Sequence, residues 1–395
     1  CDKSDFVGVG FRDGFPVSVG ASVKGKIWSP ARAGNLKEWK TWCLEVGEMI
    51  TDVAIDSNLL IEDSAKKKNI DIYPEVVVLA ADWADSLYDR IHKATLEFPD
   101  GRSFMLAEAS ITHVGLRENE ADFVLNILET ELSFAIALGG EKGHSVKGLA
   151  NCGIKVDGLK TESLSLEQFF QENPPTMFLL NGCTISGCVH TDYGECDIQD
   201  IPHDRIEALE WEDVNFTVES YYKGNTPREN SIQEYMMKRL IDRGASVVFN
   251  DDNAGESADI VAVFVTNGAI RFELVHCKYS KAKSGSRLPD LYEVCGQAIV
   301  SLRYKWNPEE LVKHMARRNA AGVLKGKRFY HGDLDRLHEI KKALKYSDVL
   351  FEFAIAQPGV KAPSLNSDMK RLLGSVHSTV VEMTETQLRC YFNYN

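Results

Sequence analysis

The segment Phe272-Glu273-Leu274-Val275-His276-Cys277-Lys278 restricts the fold of this chain more than any other. Its composition reads as a strand, and on a strand residues two apart share a face. Leu274, His276 and Lys278 therefore point one way, and Glu273, Val275 and Cys277 the other. A second strand is expected over Asp259–Val265, just after the polar run Asp251-Asp252-Asn253-Ala254-Gly255-Glu256. Antiparallel pairing of the two strands would bring Asp259 beside His276 and Lys278.

The surroundings alternate helix and strand. Ser231 to Arg243 is helical by pattern, with Ile232, Tyr235, Met236 and Leu240 close to one face, and Gly244 stops it. Strands are expected over Ala245–Phe249, Asp259–Val265 and Ile270–Tyr279, followed by helices over Asp290–Tyr304 and Asp333–Tyr346. A strand Val349–Ala356, a turn at Gln357-Pro358-Gly359, a helix Asp368–Thr384 and a closing strand Gln387–Phe392 complete the order. Residues 226–395 thus read as an α/β domain with helices packed on a mixed sheet. Residues 1–225 read as a β-rich accessory region. Phe6–Val23 is glycine-rich with short apolar runs, and Val76–Leu79 is a short β-branched run. Phe123–Leu138 is one long strand or a hairpin, and short strands flank a turn near Phe178–Leu180, Gly182 and Gly187. The best helices there are Leu36–Val46 and Trp83–His92, and Tyr221–Pro227 reads as a linker.

A length of 395 residues is enough for two or three domains. No stretch approaches the roughly 18–20 apolar residues of a membrane span, and no signal peptide is visible. The chain begins at Cys1 without an initiator Met, so a longer polypeptide with a missing upstream part is expected. Nine scattered cysteines without a CxxC fit reduced thiols and a cytoplasmic location. Cys183, Cys188, His190 and Cys196 are spaced more loosely than zinc knuckles, and the segment reads as a hairpin that needs no metal. His331, Asp333, Asp335 and His338 lie about a helix start, where acidic residues complement the helix dipole. No GxxxxGK[ST] loop is present, so no ATPase motor is visible in this chain. The net charge of −13 hides an asymmetry: Lys278 to Lys345 holds 16 Lys and Arg against 7 Asp and Glu, net +9, leaving −22 for the remainder. That basic stretch is either a pair of solvated helices or a phosphate-binding surface.

Asp259 with a neutral His276 suits a divalent ion; Mg²⁺ prefers oxygen ligands, and Mn²⁺ tolerates the imidazole better. Lys278, two residues after His276, can position an attacking water or offset charge on a phosphate. Glu256 either joins such a site or solvates the loop before the strand.

Helix, strand, strand with Asp, strand with x-x-Lys, then helix resembles the PD-(D/E)xK nuclease superfamily. In that resemblance Asp259 looks like the family's aspartate and Lys278 like its lysine, while His276 stands where most members carry Asp or Glu. Glu234, or alternatively Gln233, resembles an acidic residue that some members place on the first helix; the same Glu234 has capping-box spacing from Ser231. Gln297 resembles the glutamine that the RecB-like branch places on the following helix, with Tyr304 two turns later and Glu293 four residues before it on one face. Gly255–Val261 together with His276-Cys277-Lys278-Tyr279-Ser280 is similar to nuclease domains attached to bacterial superfamily-two helicases in phage defence. The likeness covers residues 228–305 and extends more weakly over 345–395.

The resemblance implies a restriction-endonuclease-like fold that hydrolyses DNA phosphodiesters with Mg²⁺ or Mn²⁺. Asp259 and His276 would hold the metal, helped by Glu234 or Glu256. Lys278 would position the nucleophile, and Gln297 would orient Lys278 or the substrate. DNA and an upstream helicase are the implied partners. His276 leaves the site one carboxylate short, so a catalytically silent DNA-binding or assembly module is the alternative, and an RNA-cleaving enzyme is a third reading.

Overall fold

The structure, a computed structural model, describes residues 5–12, 15–22, 27–28, 35–50, 66–88, 90–127, 130–140, 142–192, 200–253, 255–266, 268–281, 288–320 and 327–394. The chain divides into two compact units, Cys1–Glu62 and Asp63–Asn395. The smaller unit has an antiparallel hairpin, Asp5–Arg12 with Phe15–Ser22, then a short strand Ile27–Trp28 and a helix Leu36–Ile50.

The larger unit contains residues 63–225 of the β-rich region, called the β-rich segment below, together with the α/β segment, so the expected linker lies inside it. That linker forms a small ribbon, Tyr222–Lys223 against Thr226–Pro227. Phe123–Leu138 resolves as a hairpin, Glu120–Ile127 with Thr130–Leu138, inside a four-stranded antiparallel sheet. Val78–Asp82, Thr176–Leu179, Thr184–Ser186, Val189–Asp192 and Lys66–Asn69 belong to a five-stranded sheet. The helix expected over Trp83–His92 is instead two 3-10 turns, Asp85–Leu87 and Ile91–Lys93. Trp83, Leu87 and Ile91 have helical spacing, but all three are buried in one core and the Trp83 indole is tied to the carbonyl of Ala109. Separate turns satisfy that packing without a continuous helix.

The site is positioned by the remainder, whose elements we label in chain order. They are β1 (Ile206–Leu209), α1 (Ile232–Asp242), β2 (Val247–Asn250), β3 (Ile260–Thr266) and β4 (Ala269–Cys277). Next come α2 (Leu288–Val300), α3 (Pro308–Ala320), β5 (Phe329–His331) and α4 (Leu334–Ala343). Last are β6 (Asp348–Lys361), α5 (Ser367–Thr384) and β7 (Leu388–Asn393). The strands form one seven-stranded mixed sheet in the order β1-β7-β6-β4-β3-β2-β5. The tight connection from β3 to β4 makes that pair antiparallel, while helical crossovers make β4–β6 and β6–β7 parallel.

Both faces of the sheet are covered, which is why β3 and β4 read as nearly continuous apolar runs. Ile232, Met236, Met237 and Leu240 of α1 pack on one face against Val248, Ile260, Ala262 and Val275. Helices α2, α3, α4 and α5 cover the other face. The side chain of Ser231 caps α1, and Gly244 supplies the left-handed residue after it, at φ +89°.

Two further local expectations are corrected, and two elements are new. Gln357-Pro358-Gly359 does not turn the chain; β6 runs through it with a shift of register. A Cβ on Gly359 would lie 2.6 Å from Ser280, so this irregular stretch passes close to the end of β4. The helix expected to reach Tyr304 stops at Val300 and tightens into a 3-10 segment, Ser301–Trp306. Helix α3 and the edge strand β5 were not expected, although Glu309 and Glu310 in the first turn of α3 and Arg317 and Arg318 in its last are ordinary helix-end signals.

Helix α2 also presses against the β-rich segment. A Cβ on Gly296 would sit 2.4 Å from the carbonyl oxygen of Leu79. The Arg303 guanidinium reaches Asp82 at 3.1 Å, with both side chains buried. Among the described residues no helix is long and apolar enough to cross a membrane.

Candidate metal centre

Because β2, β3 and β4 run antiparallel in turn, the end of β2, the start of β3 and the end of β4 meet at one edge. Ile260 pairs with Val275, which sets Asp259 across from His276. Asp259 is buried, and both of its oxygens are held. Oδ2 accepts from the backbone N–H of Cys277 at 2.8 Å, and Oδ1 accepts from Gln233 Nε2 at 2.7 Å. The Gln233 amide has a fixed orientation, since its Oε1 accepts from the Tyr221 N–H at 2.8 Å and from Asn250 Nδ2 at 3.0 Å. The first turn of α1 thus aims a donor at Asp259.

His276 is 3% exposed. Its Nε2 lies 2.6 Å from Ser301 Oγ, and its Nδ1 lies 3.8 Å from Asp259 Oδ2 with no hydrogen-bond partner. Burial pushes the imidazole pKa down to about 3, so the ring is neutral. One ligand atom each from Glu256, Asp259 and His276 lie within 4.8 Å of one another.

Glu256 comes from the loop that follows β2, and a buried ion network holds that loop. Asp251 Oδ2 accepts from the Ser257 N–H at 2.7 Å and contacts His314 Nε2 at 2.8 Å. Its Oδ1 accepts from Arg318 Nε at 2.9 Å. Burial alone would raise the Asp251 pKa, but His314 and Arg318 hold it well below the usual carboxylate range. Asn253, at φ +134°, takes a backbone conformation rare for a residue with a side chain, and its N–H donates to Glu256 Oε2 at 2.9 Å.

The Glu256–Asp259 group crowds buried acidic groups together. Burial, then the charges of Glu256 and Asp252, push Asp259 well above the usual carboxylate range. Burial, then Asp252 and Asp251, push Glu256 up to about 8, against the opposing pull of the Asn253 amide. Anionic crowding of this kind favours protons or a cation.

Lys278 and His276 face the same helical stretch, as strand alternation requires. Lys278 Nζ forms an ion pair with Glu293 of α2 and lies 3.7 Å from Glu219 Oε2. Burial would lower the Lys278 pKa, but Glu293 and Glu219 outweigh it and raise it. Glu219 in turn accepts from the Tyr279 N–H at 2.9 Å and is pushed up by burial.

The other expected residues are placed as follows. Glu234 stands outside the three-residue group: its Oε2 accepts from the Asn230 N–H at 2.9 Å, and its Oε1 meets Lys238 at 2.9 Å. Gln233, one residue earlier, is the helix residue that reaches Asp259. Gln297 lies between Glu293 and Ser301 on one helical stripe, with Oε1 buried and without a hydrogen-bond partner. Tyr304 packs beside His314, with ring centroids 5.9 Å apart. Asp333 caps α4 by accepting from the Arg336 N–H at 2.8 Å. Cys196 lies outside the described residues, and among those described the metal-ligand group is Glu256, Asp259 and His276. Arg303, Arg318 and Arg328 of the basic stretch are turned inward toward Asp82 and Asp251.

Ser301, Glu219 and the Asp251 network were not singled out in the sequence. Ser301 had a signal, because Glu293, Gln297 and Ser301 make a polar stripe at helical spacing in an apolar helix. Glu219 sits in an irregular segment that gives no periodic cue.

Two carboxylates and one neutral imidazole whose Nδ1 is buried without a hydrogen-bond partner fit a divalent cation. Comparison with family models, curated proteins and solved structures finds no match for this chain.

Proposed function

We propose that residues 226–395 form a restriction-endonuclease-like domain of the PD-(D/E)xK type, and that the protein is a metal-dependent DNA phosphodiesterase. The observation that carries this reading is the convergence of Glu256, Asp259 and His276, with His276 Nδ1 buried and unpartnered. These three residues would hold Mg²⁺ or Mn²⁺. The ion would supply Lewis-acid polarisation of a phosphate and a water of lowered pKa. Gln233 and the Cys277 amide orient Asp259, and the loop fixed by Asp251 presents Glu256. Lys278 would offset charge on the transferred phosphate once it leaves Glu293. Gln297, on the stripe between the partners of Lys278 and His276, would orient Lys278 or the substrate.

We place this activity in a cytoplasmic, helicase-linked antiphage system in which the β-rich segment is an accessory region. The support there is the sequence resemblance alone. The test is cleavage of plasmid and linear DNA with Mn²⁺ or Mg²⁺, beside an RNA panel. Asp259→Ala and Lys278→Ala should each abolish cutting, and retained cutting in both sinks the assignment.

A second reading is a catalytically silent DNA-binding or assembly module. It is favoured by the engagement of Lys278 with Glu293 and Glu219. Salt-sensitive DNA binding without Mn²⁺ binding in calorimetry would select it.

A further inference from the structure

Ser301 stands 2% exposed just beyond the last residue of α2, and it carries a single hydroxyl proton. Its Oγ lies 2.7 Å from the carbonyl oxygen of Ser257 and 3.2 Å from that of Gln297. Both are acceptors only, so the hydroxyl donates to one of them. The third neighbour of Oγ is His276 Nε2 at 2.6 Å. With the proton of Ser301 already committed, that short contact is satisfied when His276 donates from Nε2. A neutral imidazole carries one proton, so Nδ1 is left with a bare lone pair. Nδ1 is the atom that faces Asp259 and lacks a partner.

We infer that Ser301 is the positioning residue of this centre: it locks His276 in the Nε2–H tautomer, presents Nδ1 to the cation, and so biases the site toward Mn²⁺ over Mg²⁺. The inference rests on the proposed metal centre and deepens it. Groups that orient a ligating histidine through its second nitrogen tune both affinity and ring placement. A nitrogen donor favours Mn²⁺, because Mg²⁺ prefers oxygen ligands and dehydrates reluctantly. Ser257, whose carbonyl lies 2.7 Å from Ser301 Oγ, also donates its N–H to Asp251 at 2.7 Å. The loop that presents Glu256 and the serine that orients His276 are therefore fixed to one another.

The test uses the full chain labelled with ¹⁵N-histidine, with His276→Gln to assign the signal. In the metal-free wild type, His276 should carry its proton on Nε2. In calorimetry, the wild type should bind Mn²⁺ more tightly than Mg²⁺. Ser301→Ala should weaken Mn²⁺ by roughly 10–100-fold and Mg²⁺ far less, which collapses the preference. A general loss of fold would weaken both ions equally, and that result overturns the inference. So does unchanged Mn²⁺ affinity in Ser301→Ala, or a proton found on Nδ1 in the wild type. If Ser301→Ala does not fold, the wild-type tautomer decides. A wild type that binds neither ion removes the metal centre itself, and this inference with it. A wild type that binds Mn²⁺ beside a variant with an unchanged ion preference removes only the role of Ser301.

Discussion

His276 Nδ1 and Asp259 Oδ2 face each other across 3.8 Å of buried space, and His276 Nδ1 has no hydrogen-bond partner. That separation is too long for a hydrogen bond, and the neutral ring offers no charge to the carboxylate. A buried acceptor without a partner costs about 1–3 kcal/mol. Glu256, Asp259 and His276 each offer a ligand atom within 4.8 Å of one another, and the proposed cation would meet all three.

Glu256→Gln tests this through stability. The substitution keeps an oxygen to accept the Asn253 N–H and removes an ionisable carboxyl from a crowded acidic site. The metal-free variant is expected to melt at or above the wild-type temperature. Excess Mn²⁺ should raise the wild-type midpoint, with about 2.7 kcal/mol of stabilisation at a hundred times Kd, and should leave the variant nearly unmoved. Calorimetric melting with and without Mn²⁺ reads both. Equal Mn²⁺ stabilisation of the two proteins would remove Glu256 from the centre.

The carboxylates also fix the direction of a pH effect. Glu256 titrates near 8 in the fold against an ordinary value of 4.5, so between these limits the folded chain holds a proton that the unfolded chain has lost. Stability from this group is complete below the unfolded value and is lost as pH rises through the folded one. Asp259 is shifted in the same direction. Urea unfolding of the metal-free protein should therefore show stability falling from about pH 5 to pH 9. Metal must displace these protons, so Mn²⁺ affinity should rise across the same window and binding should release protons into the buffer. Mn²⁺ affinity that stays flat or falls with pH would contradict the charge balance assigned to the site.

Much of this centre was legible in the sequence, and the parts that were not share a cause. Strand alternation placed His276 and Lys278 on one face, and pairing placed Asp259 opposite His276. Those relations depend on backbone geometry, which period-2 patterning encodes directly. Helix spacing could not decide between Glu234 and Gln233, because adjacent residues differ by about a quarter turn and the tilt of α1 against the sheet settles which one looks inward. Glu219 and Asp251 act from irregular segments, where no period links a residue to a direction. Gln357-Pro358-Gly359 has the composition of a turn, yet β6 continues through it as an irregular stretch: its pairing with β4 ends at Ala356, and its register against β7 shifts between Gln357 and Lys361.

Lys278 separates binding from chemistry. It sits on Glu293 and Glu219. Lys278→Met should leave Mn²⁺ affinity near the wild-type value while lowering DNA cleavage by about 10²–10³-fold, the usual loss of one charge-stabilising group. Glu293 is 57% exposed at its side chain, so Glu293→Gln should change stability by less than about 1 kcal/mol. Cleavage by Glu293→Gln should equal or exceed the wild type, since the lysine is then freer to meet phosphate. A lysine variant that cuts normally would limit Lys278 to a structural ion pair.

The junction between helix α2 and the β-rich segment gives the last test. Asp82 is fully buried; burial raises its pKa, and Arg303 opposes the shift. Arg303→Ala would strand that carboxylate and should destabilise the protein by about 3–5 kcal/mol. Asp82→Leu with Arg303→Met removes both charges and should cost less than the single variant, because no unpaired charge is left behind. Gly296→Ala should also destabilise, by about 1–3 kcal/mol, since its methyl group would meet the Leu79 carbonyl at 2.4 Å and neither backbone can give way cheaply. Urea unfolding followed by tryptophan fluorescence suits both tests, as Trp83 is buried beside Asp82. Ser301 follows Gly296 and precedes Arg303 along the same helical stretch, so loosening this junction should also weaken Mn²⁺ binding. Metal affinity untouched by Gly296→Ala would mean that α2 holds the centre without help from the β-rich segment.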